Sequence, residues 1–359
     1  MSDPQSGAAL CLQHLADRHP TVSNERLIAQ LVPPPTFSSV SFDSYRPDPN
    51  EPTQTAAVEA CRAFAQEATT RRAGKKKLFG KREVLPGVGI YLDGGFGVGK
   101  THLLASIYHT VPGPKAFASF GELTQVASVF GFLECIELLA GYTVVCIELL
   151  AGYTVVCIDE FELDDPGNTT LVSRLLSELV ARGVSIAATS NTLPEQLGEG
   201  RFAAQDFLRE IAALSAIFNT VRVEGPDYRH RDLPPAPEPH SDEQLRELAG
   251  AINGATFDRF DDLCKHLASM HPSRYLTLIE GVTAVFIADV EQVHDQSVAL
   301  RIVALTDRLY DAGIPVQASG AKLNTIFDDE MVAGGFRKKY LRATSRLLAL
   351  SAAPLPNAA

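Results

Sequence analysis

No stretch of this 359-residue chain approaches the roughly 20 consecutive apolar residues that a membrane-spanning helix requires. The start, Met1-Ser2-Asp3-Pro4, has no basic region followed by an apolar run, and it is not the Arg-rich, acid-poor pattern of an organelle transit peptide. A cytoplasmic protein is expected. None of the six cysteines forms a CxxC pair and no His cluster has zinc spacing, so buried thiols in a reducing compartment are expected instead of a metal centre. Positive charge is also in short supply. A formal net charge of −11 argues against generic adhesion to nucleic acid. One window breaks that trend: residues 71–82 carry seven Lys and Arg and no acid, a solvated loop or a contact for an anionic partner.

What is present is ordinary globular material. Apolar residues make up 45% and charged residues 21%, enough to bury a core, and the length suits one large or two ordinary domains. Residues 1–31 read as a helix-rich arm, broken at Val32-Pro33-Pro34-Pro35. Phe37, Phe42 and Tyr45 supply aromatic anchors to an extended lead-in, and a helix is expected over about 54–69, where Ala56, Ala60 and Phe64 recur at helical spacing. Short apolar runs then alternate with helical patterns, the signature of parallel βαβ units. Strands are expected at 88–92, 115–120, 154–158, 184–189 and 219–223. Helices are expected at 101–110 and 169–182, the latter ended by Gly183. Residues 225–242 hold five prolines and almost no apolar periodicity. The organisation expected is therefore an arm over 1–50, a core over 51–225, a Pro-rich linker over 226–242 and a C-terminal α/β segment over 243–359. In that last segment a strand at 282–287, a helix at 296–312 and a strand at 314–318 echo residues 154–189, but Ala288-Asp289 stands where the earlier run has Asp159-Glu160.

One repeat is literal: residues 135–145 recur unchanged as 146–156. Only the second copy runs into Ile158-Asp159-Glu160, so the second copy should form the native strand.

The chemistry concentrates in two places. Residues 94–101, Gly-Gly-Phe-Gly-Val-Gly-Lys-Thr, fit G-x-x-x-x-G-K-[ST] between an apolar strand and a helical pattern. Glycines let successive N–H groups converge on phosphate, and the following helix turns its positive end toward the same anion. Gly94, Gly95, Phe96, Gly97, Val98, Gly99, Lys100, Thr101 and His102 are the expected nucleotide-binding residues. Lys100 should reach the β- and γ-phosphates of ATP, and the Thr101 hydroxyl should serve Mg2+. The second place is the strand ending in Asp159-Glu160. A parallel strand delivers its C-terminal residues to the ligand crevice, where Asp159 is the expected second metal ligand and Glu160 the expected base for water. Asn191, ending the next strand, is placed to orient that water or to touch the γ-phosphate. Arg201, Arg209, Arg229 and Arg231 are all candidates for an arginine finger supplied by a neighbouring subunit.

These segments occur in a recognisable order. The P-loop, Cys157-Ile-Asp-Glu-Phe161, Ala188-Thr-Ser-Asn191 and Asp227-Tyr-Arg-x-Arg231 together resemble the ZapE family of AAA+-like ATPases, whose mitochondrial relatives are the lactation-elevated-type ATPases. Phe42-Asp-x-Tyr45 and Arg342-x-Thr-Ser-Arg346 extend the likeness to about residues 37–350. The stretches at 161–167 and 200–207 are similar to the actinobacterial branch. The resemblance implies a P-loop NTPase, AAA+-like three-layer sandwich, magnesium-dependent ATP hydrolysis, homo-oligomers and, in bacteria, association with the division machinery and FtsZ. Many members carry an arginine where this chain has Ala204; Arg201, one helical turn earlier, is the substitute this chain offers. Arg346 is matched to a second arginine that senses nucleotide. A DnaC- or IstB-like helicase loader and a nucleotide-gated adaptor with little hydrolysis are the alternatives.

Overall fold

The computed structural model describes residues 12–21, 31–74, 85–95, 97–124, 150–161, 166–193, 208–226 and 237–356. Two compact units emerge, Ser23–Tyr228 and Met1–Val22 together with Arg229–Ala359.

The first unit holds a five-stranded parallel sheet: β1 Gly89–Gly94, β2 Lys115–Ser119, β3 Val155–Asp159, β4 Ser185–Ser190 and β5 Phe218–Val223, in spatial order β2-β3-β4-β1-β5. Helices α1 Pro52–Ala73, α2 Lys100–Thr110, α3 Pro166–Ala181 and α4 Leu208–Ile217 complete it. Side chains alternate across the sheet, as the period of two requires. Ile90, Leu92, Val155, Cys157 and Ala187 face a core shared with α1 and α2. Tyr91, Val156, Ile158, Ile186 and Ala188 face the opposite core, shared with α3. The architecture is thus a three-layer α/β sandwich. The inner strands β1, β3 and β4 are buried almost throughout because both faces are covered, whereas the edge strand β5 carries exposed Asn219, Thr220 and Arg222. On α2, Leu103, Leu104 and Ile107 are completely buried, each burial worth roughly 1.5–3 kcal/mol. After α3, Gly183 takes φ 82° and its N–H returns to the Val180 carbonyl, closing the helix where the glycine implied.

Strand β3 is built from the end of the second copy of the 11-residue repeat, as its continuation into the acids required. The first copy, 135–145, lies outside the described residues, as do 75–82 of the basic window. Of that window, Arg71 pairs with Glu67, and Arg72 donates to the carbonyls of Ala151 and Gly152.

The second unit holds three parallel strands, β6 Ala255–Arg259, β7 Ala284–Val290 and β8 Val316–Gly320, in that order. Helices α5 Asp242–Gly250, α6 Phe260–Ser269, α7 Gln296–Ala312 and α8 Arg337–Ser351 pack with it. Strand β6 and helices α5, α6 and α8 are additional to the sequence reading. Helix α5 carries a capping box between Ser241 and Gln244, a signal masked by the preceding prolines. Of the arm expected to be helix-rich over 1–31, residues 12–21 are described, and they hold a 3-10 turn, Leu15–Asp17, and no α-helix. Tertiary pairing overrides local propensity here. Gln13 bridges Thr256 at the β6 edge, and the buried Asp258 carboxylate accepts the N–H groups of Leu15 and Ala16, each at 3.0 Å.

Thiol burial matches expectation where it is described. Cys61 and Cys157 are buried and Cys264 is half-buried, all free. Desolvation pushes the Cys61 thiol up to about 12 and the Cys157 thiol further still. Among the described residues, no helix is long and apolar enough to cross a membrane.

Candidate nucleotide site

The β1 strand ends at Gly94 with its neighbours very close. A Cβ on Gly94 would lie 2.0 Å from the Val223 carbonyl oxygen of β5, so only glycine fits. Beside it, parallel register pairs Asp93 with Arg222. Asp93 is almost fully buried, and Arg222 reaches it with an ion pair. The loop then turns through Gly97 and Gly99 into α2, with Gly99 at φ 89°. Here a Cβ would also strike the Tyr45 ring at 2.5 Å. Gly99→Ala should therefore combine left-handed strain with a clash. A stability loss of about 1–3 kcal/mol is expected, measurable by urea unfolding, and an unchanged midpoint would count against this packing.

Tyr45 is the main support for the loop that sequence reading left without a role at this site. Its hydroxyl donates to the Val98 carbonyl at 2.8 Å, and its ring meets that of His102 edge-on. The aromatic lead-in that was visible in the sequence thus braces the glycine loop from outside. His102 turns its Nε2 toward Ser44 Oγ, 2.9 Å, and the Ser41 carbonyl, 3.0 Å. Burial lowers its pKa, partly opposed by the Ser41 carbonyl.

At the mouth of the loop, the buried Lys100 ammonium donates to the carbonyls of Gly94, at 2.8 Å, and Gly95, and to Asn191 Oδ1 at 2.7 Å. The sheet order explains this meeting. Strand β4 lies next to β1, so the residue following β4 reaches the lysine that follows β1. The next strand over is β3. It delivers Asp159, whose two carboxylate oxygens lie 3.2 and 3.0 Å from Thr101 Oγ1. Glu160 follows at φ 54°, one of two non-glycine residues with positive φ among those described. Its N–H donates to Thr189 Oγ1 at 3.1 Å, and Thr189 Oγ1 donates to Asp159 Oδ1 at 2.5 Å. Phe161, fully buried, anchors the turn after the acids, with its ring against Phe120 and Tyr91.

Lys100 and Thr101 at the start of α2 thus meet Asp159 at the end of β3 and Asn191 after β4, three segments in all, with Glu160 next in sequence to Asp159. Phe96, Arg201, Arg229 and Arg231 lie outside the described residues. Arg209 sits exposed on the first turn of α4. Arg346 is nearly buried on α8 and pairs with Asp307 of α7, which also holds Arg342 at 2.9 Å. That geometry makes Arg346 part of a structural ion cluster.

The donor set suits Mg-ATP. Among the described residues no group of three or more His, Cys, Asp or Glu clusters as a metal cage would. One carboxylate and one hydroxyl, with the remaining positions left to phosphate and water, is what magnesium ordinarily takes. A helix start behind left-handed glycines, with a lysine at its first position, suits a polyphosphate.

A family model for AFG1-like ATPases matches residues 21–356. The chain belongs to the AFG1-like ATPase family. Within the curated relatives, this AFG1-like chain is similar to Cell division protein ZapE of Escherichia coli (strain K12), 28% identical over 285 residues that cover 68% of this chain and 74% of that protein. Solved structures similar to it include domain III of the Thermotoga maritima replication initiation protein DnaA, at 17% identity and TM-score 0.37, covering 59% of this chain and 80% of that one. The DnaC helicase loader is another, at 15% identity and TM-score 0.36, covering 53% of this chain and 99% of that one.

Proposed function

We propose that this AFG1-like ATPase hydrolyses ATP with magnesium, as an oligomer, and acts on the cell-division machinery of a bacterial cytoplasm. Residues 51–225 are its ATPase core, joined through 226–242 to a C-terminal segment. The observation that carries the reading is the convergence of Thr101 Oγ1 and the Asp159 carboxylate within 3.0–3.2 Å, beside Lys100 and Asn191. In this reading Lys100 and the loop amides hold the phosphates, and Thr101 and Asp159 hold Mg2+, which when bound neutralises charge on the phosphoryl oxygens. Glu160 polarises water, and Asn191 orients it. The division role, with FtsZ as the named partner to test, is supported by the likeness to ZapE alone.

The direct test is turnover of Mg-ATP by the purified chain against Lys100→Ala. The variant should lose nucleotide binding or hydrolysis. Retained turnover would remove the lysine from the site. A finger supplied by a neighbour also makes specific activity rise with protein concentration, whereas a flat dependence would indicate a self-sufficient monomer.

A further inference from the structure

Thr189 lies on β4, not in the glycine loop and not among the acids, yet its side chain touches both acidic positions. Strands β3 and β4 pair with Ile158 beside Ala188, so the next residues along, Asp159 and Thr189, also sit side by side. Its hydroxyl has one proton and spare lone pairs. The proton goes to Asp159 Oδ1, and the oxygen accepts the Glu160 N–H. Its carbonyl then accepts the Phe161 N–H at 2.7 Å. Three consecutive residues at the end of β3 are therefore held by one residue of β4. The middle one, Glu160, adopts a left-handed conformation that costs a non-glycine residue about 1–3 kcal/mol and persists only where its surroundings over-determine it.

The C-terminal unit repeats half of this device. Asp289 is the other non-glycine residue at positive φ, 56°, and its N–H donates to Ser319 Oγ at 3.0 Å. Strand β8 supplies Ser319 as β4 supplies Thr189. The residue before Asp289 is Ala288, however, and the Ser319 hydroxyl donates to Asp242 instead. In both units, then, a strand hydroxyl accepts the N–H of a left-handed acid, and Asp289 is held as well by an ion pair with Arg259 at 2.8 Å. Only in the first unit is the same hydroxyl spent on the carboxylate that also meets Thr101.

We propose that Thr189 is a positioning residue for the ATPase site, its hydroxyl setting the rotamer of Asp159 and the left-handed turn of Glu160 together. This rests on the hydrolysis reading above for its catalytic consequence, but not for its geometry. Thr189→Val keeps the β-branched shape and removes the hydroxyl; Thr189→Ser keeps the hydroxyl.

Three measurements test it on the full chain. The first is amide exchange at Glu160. The second is the Mg2+ dependence of binding of a fluorescent ATP analogue. The third is steady-state hydrolysis. Thr189→Val should speed Glu160 exchange, raise the Mg2+ half-saturation and lower kcat by about 10–100-fold, the usual cost of losing a partner behind a metal ligand. Affinity for nucleotide in EDTA should stay within about twofold, since the phosphate loop is untouched. Thr189→Ser should restore all three. Should Thr189→Val not fold, Thr189→Ala must show the same pattern. Ser319→Ala is the control: faster Asp289 exchange with no change in Mg2+ half-saturation. An unchanged Glu160 amide and unchanged Mg2+ dependence in the hydroxyl-free variants would overturn the proposal, as would an equal Mg2+ shift in Ser319→Ala. A wild-type chain that binds Mg-nucleotide without turnover would overturn the hydrolysis reading alone, because exchange and metal dependence still decide the role of Thr189.

Discussion

Glu160→Gln should leave ATP bound while slowing its hydrolysis by about 10²–10⁴-fold, the range that a positioned general base contributes. The backbone argues that the change is local. The left-handed turn at Glu160 is held through its N–H by Thr189 and by the buried Phe161 that follows, neither of which depends on the side-chain carboxylate. Glutamine is nearly isosteric, so the loop, Lys100 and the Thr101–Asp159 pair should remain as they are. Single-turnover hydrolysis alongside nucleotide binding separates the two effects. A variant that hydrolyses at the wild-type rate would take Glu160 out of the chemistry, and one that fails to bind would mean that the carboxylate supports the site's structure. The bound, unhydrolysed state also makes this variant the natural bait for a partner, FtsZ included.

The second large effect lies in the C-terminal unit. Asp307→Asn should destabilise that unit by about 3–5 kcal/mol, the cost of breaking a buried ion cluster by removing one member. Asp307 on α7 faces two arginines of α8, Arg342 at 2.9 Å and Arg346, whose guanidinium also lies over the Tyr310 ring at 5.1 Å. Both arginine side chains are about one-tenth exposed or less. Burial by itself would raise the Asp307 carboxyl, but the two guanidiniums outweigh it and hold the group below the usual carboxylate range. The variant removes the carboxylate that the buried Arg342 and the nearly buried Arg346 share. The pH dependence follows from the depressed folded value. The stabilisation is present above the unfolded carboxyl's pKa, about 3.9, and is lost as pH falls toward the lower folded value. Urea unfolding of wild type and variant, repeated between pH 7 and pH 3, measures both. A difference under about 1 kcal/mol at pH 7 would place the cluster with weak surface pairs.

Much of the candidate site was legible without coordinates because it is local. The glycine loop encodes its own geometry in residues 94–101, and Asp159-Glu160 sits at the end of an apolar strand whose direction is set by the parallel βαβ pattern. Asn191 was legible for the same reason, being the polar stop of the next strand. Thr189, Tyr45 and Arg222 were not. Thr189 matters because β3 and β4 are neighbours in one register, Tyr45 because its ring fills the space above Gly99, and Arg222 because β5 pairs with β1 beside Asp93. The C-terminal unit shows the same division. Its β7-α7-β8 run stood out by periodicity, whereas β6 is half polar by composition and became a strand through pairing with β7 and Gln13.

Chemistry carried by adjacent residues, and periodicity carried by single strands and helices, were determined by the amino-acid order itself, since both depend on bonds and dihedrals within a few residues. Which hydroxyl meets which carboxylate, which aromatic braces the loop and which arginines share Asp307 were decided only in three dimensions. Those contacts join segments tens of residues apart, and nothing short of the strand order and register sets their distance.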